Sequence, residues 1–242
     1  MIKVRKLAAI LKSPYYQANL LHHRVAAGVE HAQVLSGLDY RTVVDIGANR
    51  GQFAMMARRC IPQAHVISFE PLPAAAEKFR AVFEGDDRVT LHEVAIGPVC
   101  GNATIHISRR DDSSSLLPIT ATQVALFPGT EEAATNIVRV GPLREFISAA
   151  DIQVPALLKL DVQGFELEVL RGCEDMLGLF ACVYAECSFM ELYAGQALAD
   201  EVIAWLRERG FELRGVHNME YDRRGRSIQA DFLFARSSSR PG

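Results

Sequence analysis

The sequence predicts an α/β domain built on a mostly parallel β-sheet, and three observations carry that prediction. Short apolar runs without in-and-out alternation recur between amphipathic helices, as strands buried on both faces require. The first run ends in a glycine-bearing turn, Gly47 to Gly51, that leads straight into a helix. Near the C-terminus two segments alternate with period two around Asp222-Arg223-Arg224-Gly225-Arg226, the pattern of an antiparallel hairpin.

Residues 1–38 read as an N-terminal helical cap, broken at Ser13-Pro14, with Leu20, Leu21, Val25, Val29 and Val34 at helical intervals before Gly37. Thr42 to Ile46 is the first strand and Gln52 to Cys60 the helix that follows it. His65 to Phe69 and Val89 to Val94 are the next strands, separated by a helix over Pro73 to Phe83. The alternation lapses in an insertion over about 100–141, where Thr104 to Ile107 and Asn136 to Val140 read as extra strands around a polar segment, Arg109 to Ser115. The stretch from Arg109 to Thr135 is expected to be a mobile cover over a site. Ala156 to Leu160 is a fourth strand, Phe165 to Arg171 a short helix and Leu179 to Glu186 a fifth strand. Asp200 to Arg209 is an amphipathic helix stopped by Gly210, and Phe211 to His217 with Ile228 to Arg236 form the hairpin. One domain over 39–236 thus follows the cap, and 237–242 reads as a disordered tail.

Composition narrows the function. The chain has 242 residues, of which 49% are hydrophobic and 23% charged, the balance of an ordinary folded protein. A formal charge of −3 leaves no broad cationic surface, which excludes nucleic acid as the main partner. The five cysteines are scattered and never form CxxC, so neither a disulfide framework nor a zinc knuckle is indicated, and a reducing cytoplasm fits. Lys12 ends the apolar run Leu7 to Leu11 before it reaches the length of a secretion signal. The basic amphipathic start, Lys3 to Leu11, could touch an acidic membrane surface. The longest uncharged apolar stretch, Met176 to Ala185, falls well short of the roughly 18 residues of a membrane span. Nothing in the sequence fixes an oligomeric state.

The candidate ligand residues gather at strand ends. In open α/β sheets ligands bind beyond the carboxyl ends of the strands, and Gly47 and Gly51 let backbone approach one there. The turn lacks the GxGxxG of a dinucleotide site, and Asp45 takes the place of the first glycine. Asp-x-Gly-x-x-x-Gly suits a ligand with an amino-acid ammonium better than one with a pyrophosphate. Glu70, at the end of the second strand, is placed to accept both hydroxyls of a ribose. NAD and S-adenosylmethionine (SAM) both satisfy that arrangement. Glu93-Val94-Ala95-Ile96-Gly97 can line an adenine by backbone and apolar contact. Asp161 and Glu186 end neighbouring strands, and a carboxylate at the end of a buried strand is costly unless it binds something. His217 follows the sixth strand toward the same mouth.

A parallel sheet closed by an antiparallel hairpin is the layout of class I SAM-dependent methyltransferases. Val44-Asp45-Ile46-Gly47-Ala48-Asn49-Arg50-Gly51, Phe69-Glu70-Pro71, Val94-Ala95-Ile96-Gly97, Ser113-Ser114-Ser115-Leu116 and the block Leu158-Lys159-Leu160-Asp161-Val162-Gln163-Gly164-Phe165-Glu166 through Gly172 together resemble the FkbM family of these enzymes. The resemblance spans about residues 42–236 with the motifs in order. It implies a Rossmann-like fold with a seven-stranded sheet, SAM as methyl donor, and O-methylation of a sugar or polyketide hydroxyl. Carried over by position, Asp45, Gly47, Asn49 and Gly51 would frame the methionine end of SAM. Glu70 would hold the ribose, Ala95 and Ser114 the adenine, and Asp161 would stand next to the transferring methyl. Many relatives have Glu where Gln163 stands, so no carboxylate role is carried over there.

The expected function is SAM-dependent O-methylation of a sugar in a glycolipid, polysaccharide or other glycoconjugate. A polyketide or peptide natural product is the alternative acceptor, and the competing classes are an NAD-dependent oxidoreductase and a catalytically silent SAM-binding protein. An alcohol of pKa about 15 needs help to lose its proton. Asp161, Glu186 or His217 could act as base, or Asp161 and Glu186 could together hold Mg²⁺, which prefers hard oxygen ligands.

Overall fold

The computed structural model describes residues 10–36 and 39–237, so the basic start before Ile10, Gly37 with Leu38, and the tail beyond Ser237 lie outside it. In chain order α1 (Pro14–His23) and α2 (Ala32–Leu35) precede β1 (Thr42–Ile46), α3 (Gln52–Cys60) and β2 (His65–Phe69). α4 (Pro73–Val82), β3 (Val89–His92), β4 (Ala95–Ile96), β5 (Gly101–Ser108), α5 (Ala121–Leu126) and β6 (Glu132–Gly141) follow. β7 (Ala156–Leu160), α6 (Glu166–Gly172), β8 (Phe180–Ser188), α7 (Ala199–Glu208), β9 (Phe211–Tyr221) and β10 (Ser227–Arg236) complete the chain.

Seven strands form the main sheet in the order β3-β2-β1-β7-β8-β10-β9. The five through β8 are parallel, and β10 runs antiparallel to both β8 and β9. Every residue of β1 and β7 is buried, because helices cover both faces. One face packs Val44, Ile46, Leu158, Leu160 and Val183 with residues of α6 and α7. The other packs Val43, Leu157 and Tyr184 against α3, α4 and the N-terminal helices. The chain runs outward from β1 to β3, then crosses back to β7. The switch point therefore opens between β1 and β7, where the topology favours a ligand site.

The N-terminal region is less continuous than the helical pattern predicts. Ser13 caps α1, accepting from Tyr16 N, and Pro14 begins it. Arg24 then ends it in the left-handed conformation, φ 57°, and a further turn at Val29–His31 leads into α2. The insertion is a second sheet of order β4-β6-β5, in which β5 and β6 form an antiparallel hairpin and the short β4 joins β6 in parallel. The expected third strand, Val89 to Val94, ends two residues early at His92, and the chain turns out of the main sheet so that Ala95 and Ile96 pair with β6. Among the described residues no helix is long and apolar enough to cross a membrane.

Candidate active site

A cavity of about 520 Å³ opens over the carboxyl ends of β1, β2 and β7, within the size range of small-molecule sites. Of the residues singled out by sequence, Gly47, Asn49, Glu70, Ala95, Ser114, Asp161 and Glu186 line it. Asp45, Gly51 and His217 stand off its wall.

Each displacement has a structural reason. Asp45 pairs in register with Lys159 of β7, and its fully buried carboxyl lies 3.1 Å from the Lys159 ammonium. Gly51 heads α3 at φ 88°, where an added Cβ would come within 2.5 Å of the Phe83 ring under the helix. His217 lies on the edge strand β9, with β10 between it and β8, and packs edge-on to Tyr184.

The first loop is held by its carbonyls and by one carboxyl. Gly47 has φ 80°, and a Cβ there would sit 1.9 Å from the Asp161 carbonyl oxygen. Only glycine lets the β1 loop close so tightly on the β7 loop. Gly47→Ala should therefore destabilise the protein by about 2 kcal/mol or more, seen as a lowered thermal midpoint. An unchanged midpoint would mean that the loops separate freely. Glu70 is 5% exposed; its Oε2 accepts from Asn49 N at 2.9 Å and its Oε1 from Leu72 N at 2.8 Å. Burial outweighs these bonds and pushes its pKa up to about 7. Each oxygen keeps a lone pair for a further donor in the cavity.

A polar network floors the cavity. The Lys159 ammonium lies 3.1 Å from Asp45, 3.6 Å from Asp161 and 3.3 Å from the Gly47 carbonyl. Burial opposes its charge, but the two carboxyls win and hold its pKa above the usual lysine range. Gln163, at φ 55°, donates through Nε2 to Asp161 Oδ1 at 2.7 Å and to Glu186 Oε2 at 3.0 Å. Its Oε1 accepts from Tyr193 Oη at 2.8 Å, and its carbonyl from Ser115 Oγ at 2.7 Å. Glu166 Oε1 accepts from Val162 N and Gly164 N, fixing the loop that carries Gln163. Gln229 Nε2 donates to the other Glu186 oxygen at 3.0 Å. Burial, followed by the nearby Asp161 and Asp231, raises the Glu186 pKa well above the carboxylate range.

The insertion walls the cavity through Arg110 to Leu116, Gln123 and Phe127. It is tied across the mouth by an Arg50–Asp111 ion pair, with Arg50 Nε 2.8 Å from Asp111 Oδ2, and by the close approach of Tyr193 Oη, 3.1 Å from the Ser113 carbonyl. Ser114 Oγ accepts from Ser108 N at 3.1 Å, so its hydroxyl also anchors the insertion.

Comparison with known families settles the class of protein. The methyltransferase FkbM domain matches residues 45–213, most of the chain. This chain belongs to the FkbM methyltransferase family. It is 30% identical over 174 residues to the 2-O-methyltransferase NoeI of Sinorhizobium fredii, a match covering 69% of this chain and 72% of that protein. It is 29% identical over 138 residues to the hexuronic acid methyltransferase AglP of Haloferax volcanii, covering 55% of this chain and 50% of that one. The fold also matches that of PH1948 from Pyrococcus horikoshii, a protein assigned to the RNA methyltransferases, with TM-score 0.50, 12% identity and 99% of each chain covered. The fold class is thus the Rossmann-like one of class I methyltransferases, and this FkbM chain is an enzyme of that kind.

The site geometry leaves the expected Mg²⁺ pair of Asp161 and Glu186 without support. The Gln163 amide nitrogen bridges Asp161 and Glu186, so a hydrogen-bond donor fills the place a cation would take between them. Among the described residues no group of three or more His, Cys, Asp or Glu is arranged to hold a metal ion. The donor set does not fit Mg²⁺. Sequence reasoning assigned no role to Lys159, although a lysine inside a fully buried strand run was a signal in itself. His31 and Tyr193 gave no comparable signal.

Proposed function

We propose that this FkbM-family enzyme transfers the methyl group of SAM to a sugar hydroxyl. One observation carries the reading: a single cavity joins a buried carboxyl at the β2 end, Glu70, to a wall of carboxyl and amide groups, Glu186, Glu220 and Gln229. Glu70 suits the ribose hydroxyls of a nucleoside, and the opposite wall suits an acceptor rich in hydroxyls. The named relatives support the same acceptor class, being a 2-O-methyltransferase and a hexuronic acid methyltransferase.

In this reading Gly47 and Asn49 frame the methionine end of SAM, Ala95 and Ser114 line the adenine, and the insertion covers both ligands. When bound, SAM supplies an electrophilic methyl carbon; the acceptor oxygen takes it with loss of a proton, and the sulfur keeps the bonding pair as S-adenosylhomocysteine. Asp161, with Oδ1 held by Gln163 and Oδ2 facing Lys159, orients the acceptor hydroxyl. Glu186, whose two oxygens accept from the Gln163 and Gln229 amides, supports the same network rather than taking the proton. A cytoplasmic site of action suits the five free thiols.

The test is methyl transfer to a panel of methyl glycosides of hexoses, deoxyhexoses and hexuronic acids, beside hydroxylated polyketides and peptides. Formation of S-adenosylhomocysteine and a product heavier by one methylene on a sugar is expected, undiminished by a chelator. Transfer to the natural products alone would replace the acceptor class, and loss in chelator with recovery on Mg²⁺ would restore the metal.

The Glu70 carboxyl also sets a pH dependence. It accepts from hydroxyls best when ionised, so only the ionised fraction binds well. With its pKa near 7, the Kd of S-adenosylhomocysteine should fall about tenfold between pH 6 and pH 8 and then level off. Titration calorimetry across that range checks it, and a flat profile would remove Glu70 from the ribose.

A further inference from the structure

We propose that His31, supplied by the N-terminal segment and lying outside the matched domain, is the base that takes the proton from the acceptor hydroxyl. The proposal rests on the methyl-transfer reading above.

His31 stands in the cavity wall beside Phe53 and Lys159, over the β7 and β8 side of the sheet. Its ring is held on one edge. Tyr184 Oη donates its single proton to Asp231 Oδ2 at 3.0 Å, so at 3.1 Å from His31 Nδ1 it can only accept. Nδ1 therefore carries the ring proton and Nε2 the lone pair. Asn218 Nδ2, 2.7 Å from the same Asp231 oxygen, fixes the acceptor end of this relay, and Asp231 lies 3.6 Å from Nδ1. An Asp231 carboxylate behind Tyr184 and Nδ1 stabilises the imidazolium that forms when Nε2 gains a proton. The competing carboxyls are committed: Asp161 has one oxygen on Gln163 and the other facing Lys159, and both Glu186 oxygens accept from amides.

In the step itself the hydroxyl proton passes to Nε2 as the oxygen lone pair forms the new O–C bond. The C–S bond breaks with its electrons returning to sulfur, and the imidazolium later releases the proton to water. The charged and titratable groups around the ring are Asp231 on β10, Lys159 on β7, Asp161 beyond β7, Asp45 on β1, Tyr184 on β8 and Glu30 on its own turn. Burial lowers the ring's pKa, against the carboxylates of Asp231 and Glu30, which keeps the imidazole neutral and able to accept at neutral pH.

The test uses histidine-labelled protein and follows the His31 resonance by NMR through a pH titration, with His31→Gln identifying it among the seven histidines. SAM carries a sulfonium charge and S-adenosylhomocysteine does not. A ring that faces the transferring methyl should titrate about one pH unit lower in the SAM complex than in the S-adenosylhomocysteine complex. Identical titrations with both ligands bound would overturn the proposal and leave His31 as a packing residue. Failure of either ligand to bind would instead overturn the methyl-transfer reading itself. With an acceptor found in the panel, His31→Gln should lower kcat by about 10²-fold or more, keep KM for SAM, and flatten the acidic limb of the pH profile. An unchanged kcat with an unchanged limb would also overturn the proposal.

Discussion

Lys159→Ala is expected to lose about 3–5 kcal/mol of stability, the usual result of removing one partner from a buried ion pair. Lys159 is 4% exposed and Asp45 fully buried, so the variant leaves the Asp45 carboxyl with no cation within the sheet. Burial already holds the Asp45 pKa above the usual carboxylate value despite the Lys159 ammonium, and losing that ammonium would push it higher still. A raised folded pKa means that the folded state binds the proton more tightly. The deficit should therefore be small near pH 4 and grow as the pH rises. Adding Asp45→Asn should recover much of the loss, because the uncompensated charge is gone. Urea melts of the single and double variants at both ends of the pH range check this. A loss below about 1 kcal/mol at neutral pH, or no recovery in the double variant, would mean that the pair is solvated in solution.

Asp161→Asn should lower kcat by about 10²-fold, the scale of a misplaced reactant, with the fold intact. The asparagine keeps the shape and the hydrogen bond to Gln163 but removes the charge that faces Lys159. S-adenosylhomocysteine should bind within a few-fold of the parent, because Glu70, Asn49 and the insertion are untouched. A larger loss in binding than in kcat would move Asp161 from the reacting centre to the donor.

The sequence read some elements to the residue and divided others wrongly, for reasons visible in the packing. β1, β2 and β7 match their expected bounds because each is an apolar run buried on both faces and closed by turn residues. Val89 to Val94 reads as one strand, but the chain leaves the main sheet after His92 to pair Ala95 and Ile96 with β6, a partner distant in sequence. β9 continues past His217 to Tyr221 through irregular pairing with β10, which period-two reasoning does not anticipate. α5 was missed, since Thr120 offers a cap but the helix behind it has little apolar periodicity.

The site was legible where function leaves a local mark. Gly47, Asn49, Glu70, Asp161 and Glu186 all lie at strand ends, and all line the cavity. His217 follows the same rule along the chain, yet β10 separates its strand from β8, an arrangement fixed by tertiary pairing alone. Lys159, Gln163 and His31 take their places through contacts between distant segments. Their spacing along the chain therefore says little about them.

The central claim is that this cavity binds SAM, and calorimetric titration with SAM, S-adenosylhomocysteine and NAD tests it most directly. The account predicts saturable binding of the first two at one site per chain and none of NAD, with Glu70→Ala weakening S-adenosylhomocysteine tenfold or more. Saturable NAD binding without binding of either sulfur ligand would contradict it.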